Sequence, residues 1–282
     1  MMADSPVGFT ITQRQRLREL GAPTEYTDER FTDTATREAR FKELERALTS
    51  AGRQHLAALR EQRRAPLLSE LICTLRSTLR NAGLVEVLTP HIISAEALAK
   101  MSIPAGDPLA EQIFWLDRSH CLRPMLAPNL YTLLRRLRPH WHRPFAIFEI
   151  GTCFRKDTRG SRHLNEFTML NLVELGTALP ERHDRLRRLA HVVLQAAEAP
   201  PYEFRVADSG VYGTTIDVAI ANLEVCSAAM GPHPLDDAWG ITDPWVGLGF
   251  GLERLLLARE GCANIERVGR GLSYLDGTRL HL

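Results

Sequence analysis

The chain has 282 residues, a formal net charge of +1 and 44% hydrophobic residues, enough for one sizeable core and a smaller extension. No apolar run approaches the ~18 residues of a membrane span, and the start, MMADSPVGFT, has neither the basic nor the apolar region of a secretory leader. The 5 cysteines (Cys73, Cys121, Cys153, Cys226 and Cys262) form no C-x-x-C pair, which points to free thiols in a reducing cytoplasm rather than to a disulfide scaffold or a zinc site. Near-zero net charge does not announce nucleic acid, though a local basic surface fits within it.

Residues 10 to 82 read as helical. "TITQRQRLREL" opens with a threonine suited to cap it and stops at Gly21. "TATREARFKELERALTSAGRQHLAALREQRR" carries apolar residues at helical spacing with arginines between them, either a solvated face with i,i+4 pairs or a phosphate-tracking surface. After the break at Ala65-Pro66, "LLSELICTLRSTLRNAG" is a second amphipathic helix, and "LVEVLTPHII" a strand interrupted by Pro90. "IFWLD" and "CLRPM" are short strand candidates, and "APNLYTLLRRL" is a helix opening near Pro128.

Beyond that point, "PFAIFEIGTCFR" and "HLNEFTMLNLVEL" are alternating strands around the charged loop "KDTRGSR". "ERHDRLRRLAHVVLQAA" is a helix. "TTIDVAI", "LEVCSAAMG" and "PWVGLGFG" are strands, and "LERLLLAREG" is a closing helix. Consecutive strands on tight loops predict an α+β fold: an antiparallel sheet flanked by helices, with an N-terminal helical extension. The expected division is residues 1–65 for the extension and 66–282 for the sheet domain.

Three faces point at one site. On "EFTMLNLVE", Phe167, Met169, Asn171 and Val173 share a face by the period of two. Apolar residues there fit a core, but a buried amide needs partners, and a ligand can supply them. On the helix 127–137, Ala127, Leu130, Tyr131 and Leu134 fall at i, i+3, i+4 and i+7, a stripe that is more often core than pocket and alone says only that the helix is amphipathic. On "WVGLGFG", Trp245, Gly247 and Gly249 share a face, an aromatic wall followed by two absent side chains. Arg155 and Arg254 adjoin these faces, as a polyphosphate clamp would require. No Walker-type loop and no G-x-G-x-x-G is present, so a nucleotide would lie on the antiparallel sheet.

These motifs resemble the class II aminoacyl-tRNA synthetases. "GFGLER" (249–254) is similar to their motif 3, "FRKDTRGSRHLNEFTML" (154–170) to motif 2 and "LVEVLTPHI", centred on Pro90, to motif 1. Within the class, "CLRPMLAPNLY", "EFTMLN", "VYG", "PLDDAWGITDPWVGLGFGLERLL" and "SYLDG" resemble the pyrrolysyl family over roughly residues 10–282. The chain looks like that family's short form, without the separate N-terminal tRNA-binding domain.

The resemblance implies an amino-acid pocket of Ala127, Leu130, Tyr131, Leu134, Val173, Trp245 and Gly247, with Asn171 bonding the carbonyl of the substrate's side-chain amide. Tyr212 would close over the pyrroline ring. Arg155 would contact the α-phosphate of ATP and Arg254 its γ-phosphate. Phe167 would stack on adenine, with Lys156, Asp157, His163, Leu164 and Gly249 completing the ATP site. Glu224 and Ser227 would hold magnesium (Mg2+). The family often has cysteine where Val173 stands, so the pocket floor is slightly altered. Glu224 and Ser227 have opposite strand parity and can meet one metal only across a bulge or turn.

The implied reaction is ATP-dependent ligation of pyrrolysine to a cognate, amber-decoding tRNA by a homodimer away from any membrane. The rivals are a phenylalanyl-type or phosphoseryl-type synthetase, a class II paralogue with a non-tRNA acceptor, and an inactive tRNA-binding module. Two arginines and an apolar stripe argue against the phosphoseryl and inactive readings.

Overall fold

A computed structural model describes residues 6–103, 108–156 and 161–281. It divides into two compact units, residues 1–67 with 262–282, and residues 68–261. Residues 262–282, grouped with the sheet domain in the sequence reading, thus fall in the unit of the N-terminal helices.

In the first unit, helix α1 (Ile11–Glu19) opens with a reciprocal capping box in which Thr10 and Gln13 bond each other's backbone N–H. Helix α2 (Thr34–Gln62) is capped by Asp33. A two-residue strand pair, Val7–Gly8 with Arg30–Phe31, closes a small core of Phe9, Leu17, Phe31 and Leu44. The tail is tied in by Asp276, whose side chain is fully buried and accepts from the Leu67 N–H at 2.8 Å and pairs with His55 Nε2 at 3.1 Å.

The second unit opens with helix α3 (Leu67–Asn81), which buries Leu68, Leu71, Leu75 and Leu79 at helical spacing. Each fully buried leucine contributes about 1.5–3 kcal/mol. The unit is organised on a seven-stranded sheet. Its strands are β1 (Val85–Glu86), β2 (Phe145–Phe154), β3 (Glu166–Leu175), β4 (Glu203–Ser209), β5 (Gly213–Ile220), β6 (Leu223–Gly231) and β7 (Trp245–Gly251). The order is β1-β2-β3-β7-β6-β5-β4, antiparallel throughout except for the parallel pair β1–β2. Pro90 divides the expected "LVEVLTPHII" strand into β1 and Ile92–Ser94, and the latter pairs with His120–Leu122.

Helix α4 (Ala127–Leu137) packs on the face carrying Ile147, Val173 and Trp245. On the opposite face, Phe148, Leu172, Leu248 and Ala228 stand in one row and are all buried. Helices α5 (Arg182–Ala196) and α6 (Leu252–Arg259) pack against the central strands.

Candidate active site

The register across the sheet aligns one polar row. Glu149, Asn171, Gly249, Ser227 and Asp217 stand opposite one another on β2, β3, β7, β6 and β5. Next to it runs an apolar row containing Ile147, Val173, Gly247 and Ala229. The six apolar side chains expected in the pocket, Ala127, Leu130, Tyr131, Leu134, Val173 and Trp245, are all buried in one cluster, with Phe167, Met169 and Tyr212 packed against it.

The space above the glycines is shared by the protein's own side chains. A Cβ at Gly249 would lie 3.2 Å from Asn171 Nδ2 and 3.3 Å from Met169 Cε. At Gly247 it would lie 3.1 Å from Trp245 Cζ3. The glycines therefore let the Asn171 amide and the Trp245 ring lie flat on the sheet. Asn171 Oδ1 is buried and has no hydrogen-bond partner among the described residues, a cost of about 1–3 kcal/mol unless a ligand offsets it.

At the other end of β3, Arg155 continues the pairing of β2 and β3 through its N–H to Asn165 O at 3.0 Å. Its Nε donates to Pro124 O at 2.8 Å, and its guanidinium carbon lies 5.3 Å from the Phe167 ring centre. Lys156 is exposed, with its ammonium 5.6 Å from the Phe114 ring centre. Leu164 is half-buried. Asp157 lies outside the described residues.

Arg254, in the first turn of α6, donates to Glu224 O at 3.2 Å and to His163 Nε2 at 2.9 Å. A guanidinium only donates, so His163 Nε2 accepts and the imidazole proton sits on Nδ1.

Glu224 and Ser227 do share a face. Cys226 stands opposite Val218, but Glu224 stands opposite Ala219, so the register slips by one residue at Val225. This bulge turns Glu224 onto the face of Ser227 and Asp217. Ser227 Oγ donates to Asp217 Oδ1 at 2.8 Å, which leaves its lone pairs available to a cation. A carboxylate and a hydroxyl suit magnesium, which takes few protein oxygens and completes its shell with water and phosphate.

A buried carboxylate organises the pocket wall. Asp236 is 4% exposed. It accepts from Trp245 Nε1 at 2.9 and 3.0 Å, from the Tyr131 hydroxyl at 3.3 Å and from the His233 N–H at 2.7 Å. Burial pushes the phenols of Tyr131 and Tyr212 well above their ordinary range, so both remain protonated.

The chain is 53% identical to the pyrrolysyl-tRNA synthetase from Desulfitobacterium hafniense, with a TM-score of 0.93 over 98% of this chain and 99% of that one. A structure of Desulfitobacterium hafniense PylSc, a pyrrolysyl tRNA synthetase, matches at 53% identity and a TM-score of 0.91, covering 98% of both chains. This chain belongs to the pyrrolysyl-tRNA synthetase family. It is a ligase with the catalytic fold of a class II synthetase. The phenylalanyl tRNA synthetase beta chain CLM domain also matches, over residues 58–197.

Three buried charged residues around the candidate site escaped the sequence reading. Asp236 sits within the quoted "PLDDAWG", but nothing in the string distinguishes it from Asp237. Glu253 is 1% exposed despite being a charged neighbour of Arg254. Arg123, also 1% exposed, pairs with Glu149 at 2.8 Å and donates to Thr89 O at 3.1 Å, which holds the motif 1 segment on the sheet.

Proposed function

We propose that this enzyme joins pyrrolysine to its cognate, amber-decoding tRNA through an aminoacyl-adenylate. The observation that supports this most directly is the half-buried Asn171 amide, whose buried oxygen has no hydrogen-bond partner among the described residues, set beside an otherwise apolar cluster. A substrate whose side chain carries a secondary amide offers both a donor and an acceptor to such a group. A phenylalanyl-type substrate, which the match over residues 58–197 would favour, offers neither.

In the first step the amino-acid carboxylate attacks the α-phosphorus of ATP, and pyrophosphate leaves. In the second a ribose hydroxyl of the tRNA attacks the acyl carbon, and AMP leaves. Neither step needs a nucleophile from the protein, so positioning and charge carry the catalysis. Arg155, with its plane fixed by Pro124 O, would meet the α-phosphate. Arg254, fixed by Glu224 O and His163, would meet the γ-phosphate. Phe167 would stack on the adenine. Glu224 and Ser227 would hold magnesium, which neutralises charge on the phosphates when bound.

The test is ATP–pyrophosphate exchange with each amino acid added in turn. Exchange that depends on pyrrolysine and not on phenylalanine or phosphoserine is the expected result. Exchange with phenylalanine alone would overturn the assignment.

A further inference from the structure

Tyr212 sits in the turn between β4 and β5, and both of its ends lead back to Asp236. Its phenol is near enough to the Tyr131 phenol for each to influence the other's ionisation, and the Tyr131 hydroxyl donates to Asp236 at 3.3 Å. Its backbone carbonyl is 3.0 Å from His233 Nε2. The Leu235 N–H donates to His233 Nδ1 at 3.1 Å. That bond makes Nδ1 the acceptor and places the ring proton on Nε2, so His233 donates to the Tyr212 carbonyl. The His233 N–H in turn donates to Asp236 at 2.7 Å.

The imidazole also lies against the Tyr212 ring, edge to face, with centres 5.6 Å apart. The Tyr212 ring lies 6.2 Å from Trp245, whose indole N–H is held by the same carboxylate. Among the described residues, the turn is otherwise held only by bonds from the Val211 and Tyr212 N–H groups to Ser209 Oγ, at 3.2 and 3.4 Å.

We infer that His233 and Asp236 are positioning residues that latch the Tyr212 turn over the amino-acid pocket and so set how tightly the substrate's distal ring is enclosed. Asp236 is the anchor, because it gathers Trp245, Tyr131 and His233 at one buried point. His233 is the latch, because it alone among these residues grips the backbone of the turn. The consequence for catalysis rests on the reading of Tyr212 as a pocket residue. The latch itself does not.

Two measurements on His233→Phe, His233→Gln and the parent decide the matter. Phenylalanine keeps a ring against Tyr212 but removes the donor, whereas glutamine restores an N–H. In the protein without substrate, amide exchange at residues 210–213 should speed up about fivefold in His233→Phe, the worth of one modest hydrogen bond. It should return towards the parent rate in His233→Gln. In pyrophosphate exchange, His233→Phe should raise KM for pyrrolysine about fivefold and leave KM for ATP unchanged. Asp236→Asn should loosen the same turn.

Unchanged exchange at 210–213 in His233→Phe overturns the latch. So does faster exchange spread over the whole sheet, or an equal rise in both KM values. If the parent does not activate pyrrolysine, the functional assignment fails, and the amide-exchange result still decides the latch by itself.

Discussion

Glu253 receives the backbone N–H of Thr168 with both carboxylate oxygens, each at 2.9 Å, and its hydroxyl at 2.8 Å. Strand β7 ends at Gly251, opposite Met169, so the ladder stops one residue short of Thr168 and the Glu253 side chain takes the place of the missing strand. The contact fixes the start of α6, and with it Arg254, to the strand that carries Phe167. Glu253→Ala should leave a buried N–H unpaired and lower stability by about 1–3 kcal/mol, measured by urea unfolding. Glu253→Gln, which keeps one acceptor, should lose less.

Asn171→Ala should weaken pyrrolysine activation about ten- to a hundredfold, the loss expected when a buried partner is left unpaired. It should also admit bulky aromatic amino acids into the enlarged pocket. Pyrophosphate exchange with a panel of amino acids reads both effects. Undiminished activation of pyrrolysine would mean that another group reads the amide.

Replacing Arg155 or Arg254 with alanine should cost roughly a hundredfold or more in adenylate formation, as removal of a charge-stabilising donor typically does. The fold should survive, because both side chains lie at the rim of the sheet rather than within its apolar layer. Circular dichroism checks the fold and pyrophosphate exchange the chemistry. An active, folded Arg254→Ala variant would remove the γ-phosphate role.

Asp217 orients Ser227 without a place in the proposed magnesium shell. Asp217→Asn should therefore raise the magnesium concentration for half-maximal exchange about tenfold, the usual scale for a group that holds a ligand in position. KM for pyrrolysine should be unaffected. A lower maximal rate at the parent's magnesium requirement would assign Asp217 to something other than orienting Ser227.

On α2, Arg37 and Arg40 are paired with Glu38 and Glu29. Arg46, Arg53 and Arg60 are exposed and have no ion pair among the described residues. They recur every seven residues, so they drift only ~20° per step around the helix and form one stripe. Reversing all three to glutamate should reduce tRNA charging and make its loss with salt less steep, because fewer phosphate contacts release fewer counterions. Amino-acid activation, whose residues lie in 68–261, should be nearly unchanged. Equal loss in both assays would make the stripe a structural element, and no loss in either would make it a solvated face.

Much of this site could be read before the fold. Period-two patterning placed Asn171 beside Val173, and alternate glycines marked the strand that now stands next to them. Those signals are local and each spans fewer than ten residues. Strand β4 escaped notice because "EFRVADS" lies at the sheet edge with most of its side chains exposed, and an edge strand has little apolar alternation to display. Asp236 and Glu253 were illegible for a different reason. Their burial depends on donors distant in sequence, such as Tyr131 and Thr168, and a charged letter carries no mark of such a partner. His233 is the same case, since only the surroundings of its two nitrogens reveal which one donates.

The slip at Val225 behaves like a frameshift in a message. Every residue of β6 before it is read onto the other side of the sheet, and every residue after it keeps its place. One inserted amino acid thus assigns Glu224 to the solvent, where the proposed phosphate site lies, instead of to the packed interior. Deleting Val225 would keep the composition of the strand almost intact while sending the carboxylate inward. Comparisons between relatives that open a gap at this position would align the letters and exchange the faces.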